Sequence, residues 1–268
     1  MKTNKNILVT GASSGFGLLL ALELHNKGYN VIGTSRNPKN FDLPFKLLEL
    51  DIAKEDSIKS FSKELFSNIS HLDVLINNAG FYLSGLAEET SIEQGRYQFE
   101  TNFWGTINLT NELLPKFRKH RSGKIITIGS LMGLVNFPSS AYYGASKHAL
   151  EGYFKSLRFE LNEFNIKVAM VEPMNFNTGI ITNSHTADGR ISDYDNYRNK
   201  IQKFSKDMFD KSPEPSPVIN TLLKLIDDEN PTFSNPVGKG ASIILGIQHF
   251  AYKAFENTII KNINKFKN

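Results

Sequence analysis

The chain has no cysteine, which excludes disulfides and thiolate metal sites and fits a reducing compartment, so we expect a cytoplasmic protein. It has no apolar run near the roughly 18 residues of a membrane span. Few residues precede the first apolar run, Asn6 to Thr10, which leaves no room for a signal peptide. It also lacks any long block of like charge, and no interleaved basic and aromatic stripe appears outside the last helix. Nucleic-acid binding therefore has no motif support. The formal net charge of +4 reads as scattered surface lysines. There is no internal repeat and no low-complexity tract.

What is present is ample material for a core: 268 residues, 40% hydrophobic and 22% charged, as in globular proteins. Short β-rich apolar runs at 6–10, 31–35, 47–50, 72–76, 124–128 and 166–171 read as strands. Helical spacing covers 16–27, 55–68, 98–119, 142–164 and 217–228. This alternation predicts an α/β fold, a Rossmann-type doubly wound parallel sheet of about seven strands with helices on both faces, in a single domain. The polar stretch 174–215 breaks the rhythm and reads as a partly helical insertion forming a substrate lid. Residues 251–268 read as a basic amphipathic helix. Packing of that helix against the lid or a second subunit ranks ahead of membrane contact.

Two local patterns carry chemistry. Tyr143 and Lys147 share a helix face at i and i+4. A free phenol titrates near about 10, and a neighbouring ammonium favours the phenolate, which would let it exchange a proton near neutral pH. Tyr142 is the neighbouring decoy, expected only to pack. The second pattern, Thr10-Gly11-Ala12-Ser13-Ser14-Gly15-Phe16-Gly17, lies between a strand and a helix. Glycines there permit close backbone approach, and the helix N-terminus offers N–H groups to a pyrophosphate. At the end of the second strand, where an acid would bind ribose hydroxyls, stand Ser35 and Arg36, suited to a 2′-phosphate. Asp51 and Ile52 follow the third strand. Asp51 could accept from an adenine amino group or cap the next helix.

Together these patterns resemble the short-chain dehydrogenases/reductases over roughly residues 5–180. Thr10 to Gly17, with Ser13, Ser14, Gly15 and Phe16, look like the family's cofactor turn, and Asn77-Asn78-Ala79-Gly80 like its second signature. Asn102, Ser130, Tyr143 and Lys147 match its catalytic residues. Pro173 and Thr178 match the segment over the nicotinamide. Two departures stand out: Met174 where a glycine is usual, and Phe16 where an aliphatic residue is usual.

The resemblance implies an oxidoreductase using NADP, with NADPH preferred over NADH, to interconvert a carbonyl and an alcohol. In it Tyr143 is the general acid/base. Lys147 lowers the Tyr143 pKa and holds the nicotinamide ribose, Ser130 orients the substrate oxygen, and Asn102 holds a water of a proton relay. A non-catalytic NADP(H)-binding sensor is the alternative. Phe81, Tyr82, Met132, Leu134, Phe137, Met174 and Phe176 are expected to face an apolar substrate of the steroid, retinoid, fatty or aromatic kind. No metal is expected, and a homodimer or homotetramer is.

Overall fold

The computed structural model describes residues 5–178 and 184–266. The first half alternates β1 (Asn6–Val9), α1 (Gly15–Asn26), β2 (Asn30–Ser35), β3 (Lys46–Glu49), α2 (Glu55–Asn68), β4 (Val74–Asn77), β5 (Leu83–Ser84), α3 (Ile92–Phe99) and α4 (Thr106–His120). The second half runs β6 (Gly123–Ile128), α5 (Ala141–Leu161), β7 (Ile166–Pro173), β8 (His185–Thr186), α6 (Asp195–Asp210), α7 (Ser216–Asp227), β9 (Ser234–Val237), α8 (Ala241–Phe250) and α9 (Tyr252–Asn264).

Seven strands pair in parallel in the order β3-β2-β1-β4-β6-β7-β9. Strands β1 and β4 are buried throughout, because helices cover both faces of a parallel sheet. Alternate residues feed two cores. Leu8, Ile32, Leu75 and Ile125 meet Phe61, Leu109 and Phe154 on one face. Ile7, Val9, Ile76 and Ile126 meet Leu20, Leu24 and Leu222 on the other. The strand order reverses between β1 and β4, and that switch point opens a crevice at the carboxyl ends of the strands.

Where the structure departs from the sequence expectation, the reasons are local. The helix expected over 98–119 begins at Ile92 and is interrupted by a π-helical turn, Glu100–Gly105. The Thr106 hydroxyl bonds the Asn102 carbonyl at 2.9 Å, supplying a partner where the widened turn shifts the backbone ladder. Strand β9 carries Pro236, tolerable because β9 is the sheet edge. Helix α8 was not anticipated.

Residues 179–183 of the expected 174–215 lid lie outside the described residues; the part from 189 to 198 is tied down by one buried carboxylate. Glu89 accepts from Arg198 Nε on α6 at 3.0 Å, from Arg198 Nη2 and from the Ile191 backbone N–H at 2.9 Å. Its own carbonyl accepts from the Gly189 N–H at 2.9 Å. Strand β8 adds to β5, and Gln94 donates to the Thr186 carbonyl at 2.8 Å. Hydrogen bonding from Arg198 holds the Glu89 carboxyl below the usual carboxylate range. The anchoring is thus complete above the ordinary glutamate pKa and is lost as pH falls through the lowered one. Glu89→Gln leaves the guanidinium without its main counter-charge. Amide hydrogen exchange across 189–205 should then speed up while the seven-strand sheet keeps its protection. Unchanged exchange in 189–205 would contradict the clamp.

Candidate active site

The glycine turn connects β1 to α1. Gly15 has φ +55°, and a Cβ on Gly17 would lie 2.4 Å from both the Asn78 amide nitrogen and the Gly11 carbonyl oxygen, so neither position takes a side chain without distortion. Asn78 holds the turn against the end of β4. Its side-chain amide donates to the Thr10 and Gly11 carbonyls at 2.8 and 3.1 Å, and the Thr10 hydroxyl accepts from the Asn78 and Ala79 N–H groups, both at 2.9 Å. Among the described residues no side chain caps the start of α1, which leaves its first N–H groups available to an anion in the crevice.

That crevice is a cleft of about 790 Å³, within the roughly 300–1,000 Å³ typical of ligand sites. Gly11, Ser13, Ser14, Gly15, Phe16, Ser35, Arg36, Asp51, Ile52, Asn78, Ala79, Gly80 and Thr178 all line it. Gly17 lies behind the turn, packed on Asn78. Arg36 is exposed on the cleft, whereas Ser35 is buried and accepts from the Asn37 N–H at 3.2 Å. Asp51 accepts from the Ala53 N–H at 3.2 Å and pairs with Lys54 at 3.3 Å. A cradle with bare helix N–H groups at one end and a guanidinium at the other fits a phosphorylated dinucleotide.

A smaller cavity of about 100 Å³ adjoins the cleft; both share Phe16, Asn78, Gly80, Phe81 and Thr178. Ser130, Tyr143, Lys147 and Pro173 line it. Helix α5 delivers Tyr143 and Lys147, both buried. The Lys147 ammonium donates to the Ile128 carbonyl at the end of β6, 3.0 Å away, and lies 5.8 Å from the Tyr143 ring centre. Ser130 caps a short turn by accepting from the Met132 N–H at 3.1 Å and hydrogen-bonds Tyr143. Tyr82 packs edge-on to Tyr143 at 4.8 Å. Tyr142 lies against α3, across Gly95.

The electrostatics differ from the sequence expectation. Burial pushes the Tyr143 phenol up to about 12, against a smaller opposing effect of its Ser130 hydrogen bond. Burial also lowers Lys147 to about 8. The expected lowering of the phenol by its neighbour is overridden because both groups are desolvated, and desolvation disfavours the charged form of each. Asn102 sits in the π-turn with its side chain spent on Phe81: Nδ2 donates to the Phe81 carbonyl and Oδ1 accepts from the Phe81 N–H, both at 3.0 Å.

Of the residues expected to face a substrate, Phe81, Tyr82, Met132, Met174 and Phe176 line the small cavity, joined by Phe209 of α6. Leu134 and Phe137 do not line it; Phe137 packs instead against Phe255 of α9. Phe209 lies in a polar segment without a motif, so its place was illegible beforehand.

Comparison with known proteins shows the family and the fold. The family model described as short chain dehydrogenase matches residues 5–189. YusZ, an uncharacterised oxidoreductase of Bacillus subtilis (strain 168), is 37% identical across 97% of this chain and 99% of its own. The 3-ketodihydrosphingosine reductase of Bacteroides thetaiotaomicron is 37% identical over 87% of each chain. Among solved structures, a short-chain dehydrogenase from Streptomyces avermitilis superposes with TM-score 0.84 at 28% identity, covering 98% of both chains. ElxO with NADP bound gives TM-score 0.75 at 28% identity, covering 90% of this chain and all of that one. The chain belongs to the short-chain dehydrogenase/reductase family and is an oxidoreductase of that family.

Sequence reasoning missed one member of the site's surroundings, Glu151, although its i+4 spacing from Lys147 was a readable signal. Glu151 is buried against Gly129 and Gly133, and neither carboxylate oxygen has a hydrogen-bond partner among the described residues. Burial, reinforced by repulsion from Glu172, pushes it up to about 8. Glu172, also buried, is raised to about 7 chiefly by desolvation. An acid whose folded pKa is raised releases its proton first in the unfolded chain. Stability therefore falls as pH rises from the ordinary glutamate value through the raised one. Glu151→Gln should leave stability near pH 5 almost unchanged and raise it at pH 9 by on the order of 3 kcal/mol. Denaturant unfolding at both pH values checks this; an equal change at both would contradict it.

Proposed function

We propose that this oxidoreductase reduces a ketone on an apolar, chain-like substrate at the expense of NADPH, with Tyr143 as proton donor. The observation that carries the reading is the buried Tyr143, hydrogen-bonded to Ser130 and lining the small cavity that adjoins the cleft. With its pKa raised to about 12, the phenol holds its proton throughout the neutral range and is poised as an acid. When bound, the reduced nicotinamide supplies a hydride to the carbonyl carbon. Tyr143 transfers its proton to the carbonyl oxygen, and Ser130 hydrogen-bonds that oxygen and fixes its position. The Lys147 ammonium, held on the Ile128 carbonyl, stabilises the tyrosinate left behind. Asn102 props the Phe81 backbone at the cavity wall.

Arg36 supports NADP over NAD, since a guanidinium on the cleft wall can take a 2′-phosphate in charge-assisted hydrogen bonds. The similarity to ElxO, solved with NADP bound, points the same way. The small cavity, lined by Phe16, Met132, Met174 and Phe176, suits the carbonyl end of an apolar substrate, and we favour the fatty class. The named activity of the Bacteroides relative on 3-ketodihydrosphingosine fits that preference. The 174–215 segment, through Phe209, serves as the lid. A homodimer or homotetramer would cover Trp104 and Phe159, which are 50% and 77% exposed.

Tyr143→Phe should lower NADPH-dependent ketone reduction by about 100-fold or more while NADPH still binds; retained turnover would exclude Tyr143 as the donor. Arg36→Ala should raise the KM for NADPH by about tenfold or more and leave NADH nearly unaffected; equal effects on both would remove the 2′-phosphate role. The reductive kcat should hold through neutral pH and fall as Lys147 loses its proton above about 8. A kcat that rises through that range would contradict the assignment.

A further inference from the structure

Helix α8 presents an apolar face to solvent. Ile243 is 67% exposed and Phe250 86%, and Ile247 lies between them on the same face at i, i+4 and i+7. A Cβ added at Gly246, on that face too, would meet no described atom within 4 Å. Tyr252, just beyond the helix, is exposed as well. Contiguous exposed apolar side chains of this kind mark a contact surface rather than ordinary surface composition. The opposite face of the same helix packs inward: Ile244 and Leu245 join Leu131, Val135 and Met174, and Met174 lines the small cavity. One helix therefore separates the exposed face from the substrate pocket wall.

The flanks are basic. Lys239 precedes α8, and Lys253, Lys261 and Lys265 follow it, all exposed, against a single acid, Glu256, which pairs with Lys253 at 2.6 Å. We propose that the outer face of α8, with these lysines, docks on an anionic lipid surface. An apolar stripe with lysines at its borders inserts at the headgroup boundary and draws the basic flanks to lipid phosphates. Self-association through this face is disfavoured by its charge, because a two-fold contact sets the same patch, with its lysines, against itself. The inner face of α9, by contrast, is occupied: Phe255 packs beside Phe137 and Ile263 beside Ile201. The apolar contact surface is thus on α8, while the tail helix packs inward, the role the sequence ranked first for it. Together with the proposed fatty-chain substrate, on which only this last step rests, docking would place the pocket wall beside the phase that holds such a ketone.

The test is co-sedimentation of the full chain with vesicles of phosphatidylcholine alone and of phosphatidylcholine with phosphatidylglycerol. NADPH oxidation with a water-soluble short ketone and analytical ultracentrifugation without lipid are measured in parallel. Wild type should sediment with the anionic vesicles, and salt should release it. Ile243→Ser/Ile247→Ser/Phe250→Ser should abolish sedimentation while leaving soluble-ketone turnover unchanged. Lys239→Ala and Lys261→Ala should each weaken vesicle binding by about fivefold. Absence of wild-type binding, or equal binding by the triple variant, would overturn the proposal. So would a triple variant that dissociates a lipid-free oligomer, which would assign the face to a second copy. Vesicle binding without reduction of any long-chain ketone would uphold docking and sink the substrate reading instead.

Discussion

The bond from Lys147 to the Ile128 carbonyl fixes α5 onto the carboxyl end of β6, and the rest of the site depends on it. Together with the core packing of Leu150 and Phe154 it keeps Tyr143 buried, and burial sets the protonation of the phenol. A phenol withdrawn from water keeps its proton, and an ammonium withdrawn from water holds its own less tightly. The pair is then an acid beside a cation held on a backbone carbonyl. In the proposed reduction the cation would lower the cost of forming a tyrosinate at the moment of proton transfer, without forming one beforehand.

The parallel sheet supplies everything else at one edge. Because every strand of the sheet runs the same way, the turns after β1, β2, β4, β6 and β7 converge on one crevice. The first, second and third of these line the large cleft with bare helix N–H groups, Arg36 and the Asn78 tie. The turns after β6 and β7 build the small cavity with Ser130, Pro173 and Met174. The chain after β7 adds two features beyond the sheet: the segment clamped by Glu89 and Arg198, and α8 with its exposed apolar face.

Much of this was legible in the sequence, and the boundary is physical. Strands such as Ile-Leu-Val and Val-Leu-Ile announce themselves because both faces of a parallel sheet are buried. Strand β9, Ser-Asn-Pro-Val, does not, because an edge strand needs less apolar surface and tolerates proline. The glycine turn and the Tyr143–Lys147 pair were readable because spacing alone demands their geometry. The direction of the Tyr143 pKa was not, since burial comes from residues far apart in sequence, such as Tyr82. The bonds of Asn102 to Phe81, the place of Phe209 and the unpaired Glu151 are likewise tertiary facts.

Burial keeps Tyr143 protonated, and the proposed role of this phenol as an acid stands on that. The most direct measurement is an ultraviolet titration of the phenolate band in the wild type minus that in Tyr143→Phe. No phenolate should appear from Tyr143 until well above pH 10 in the protein alone. A Tyr143 phenolate appearing near neutral pH would contradict it.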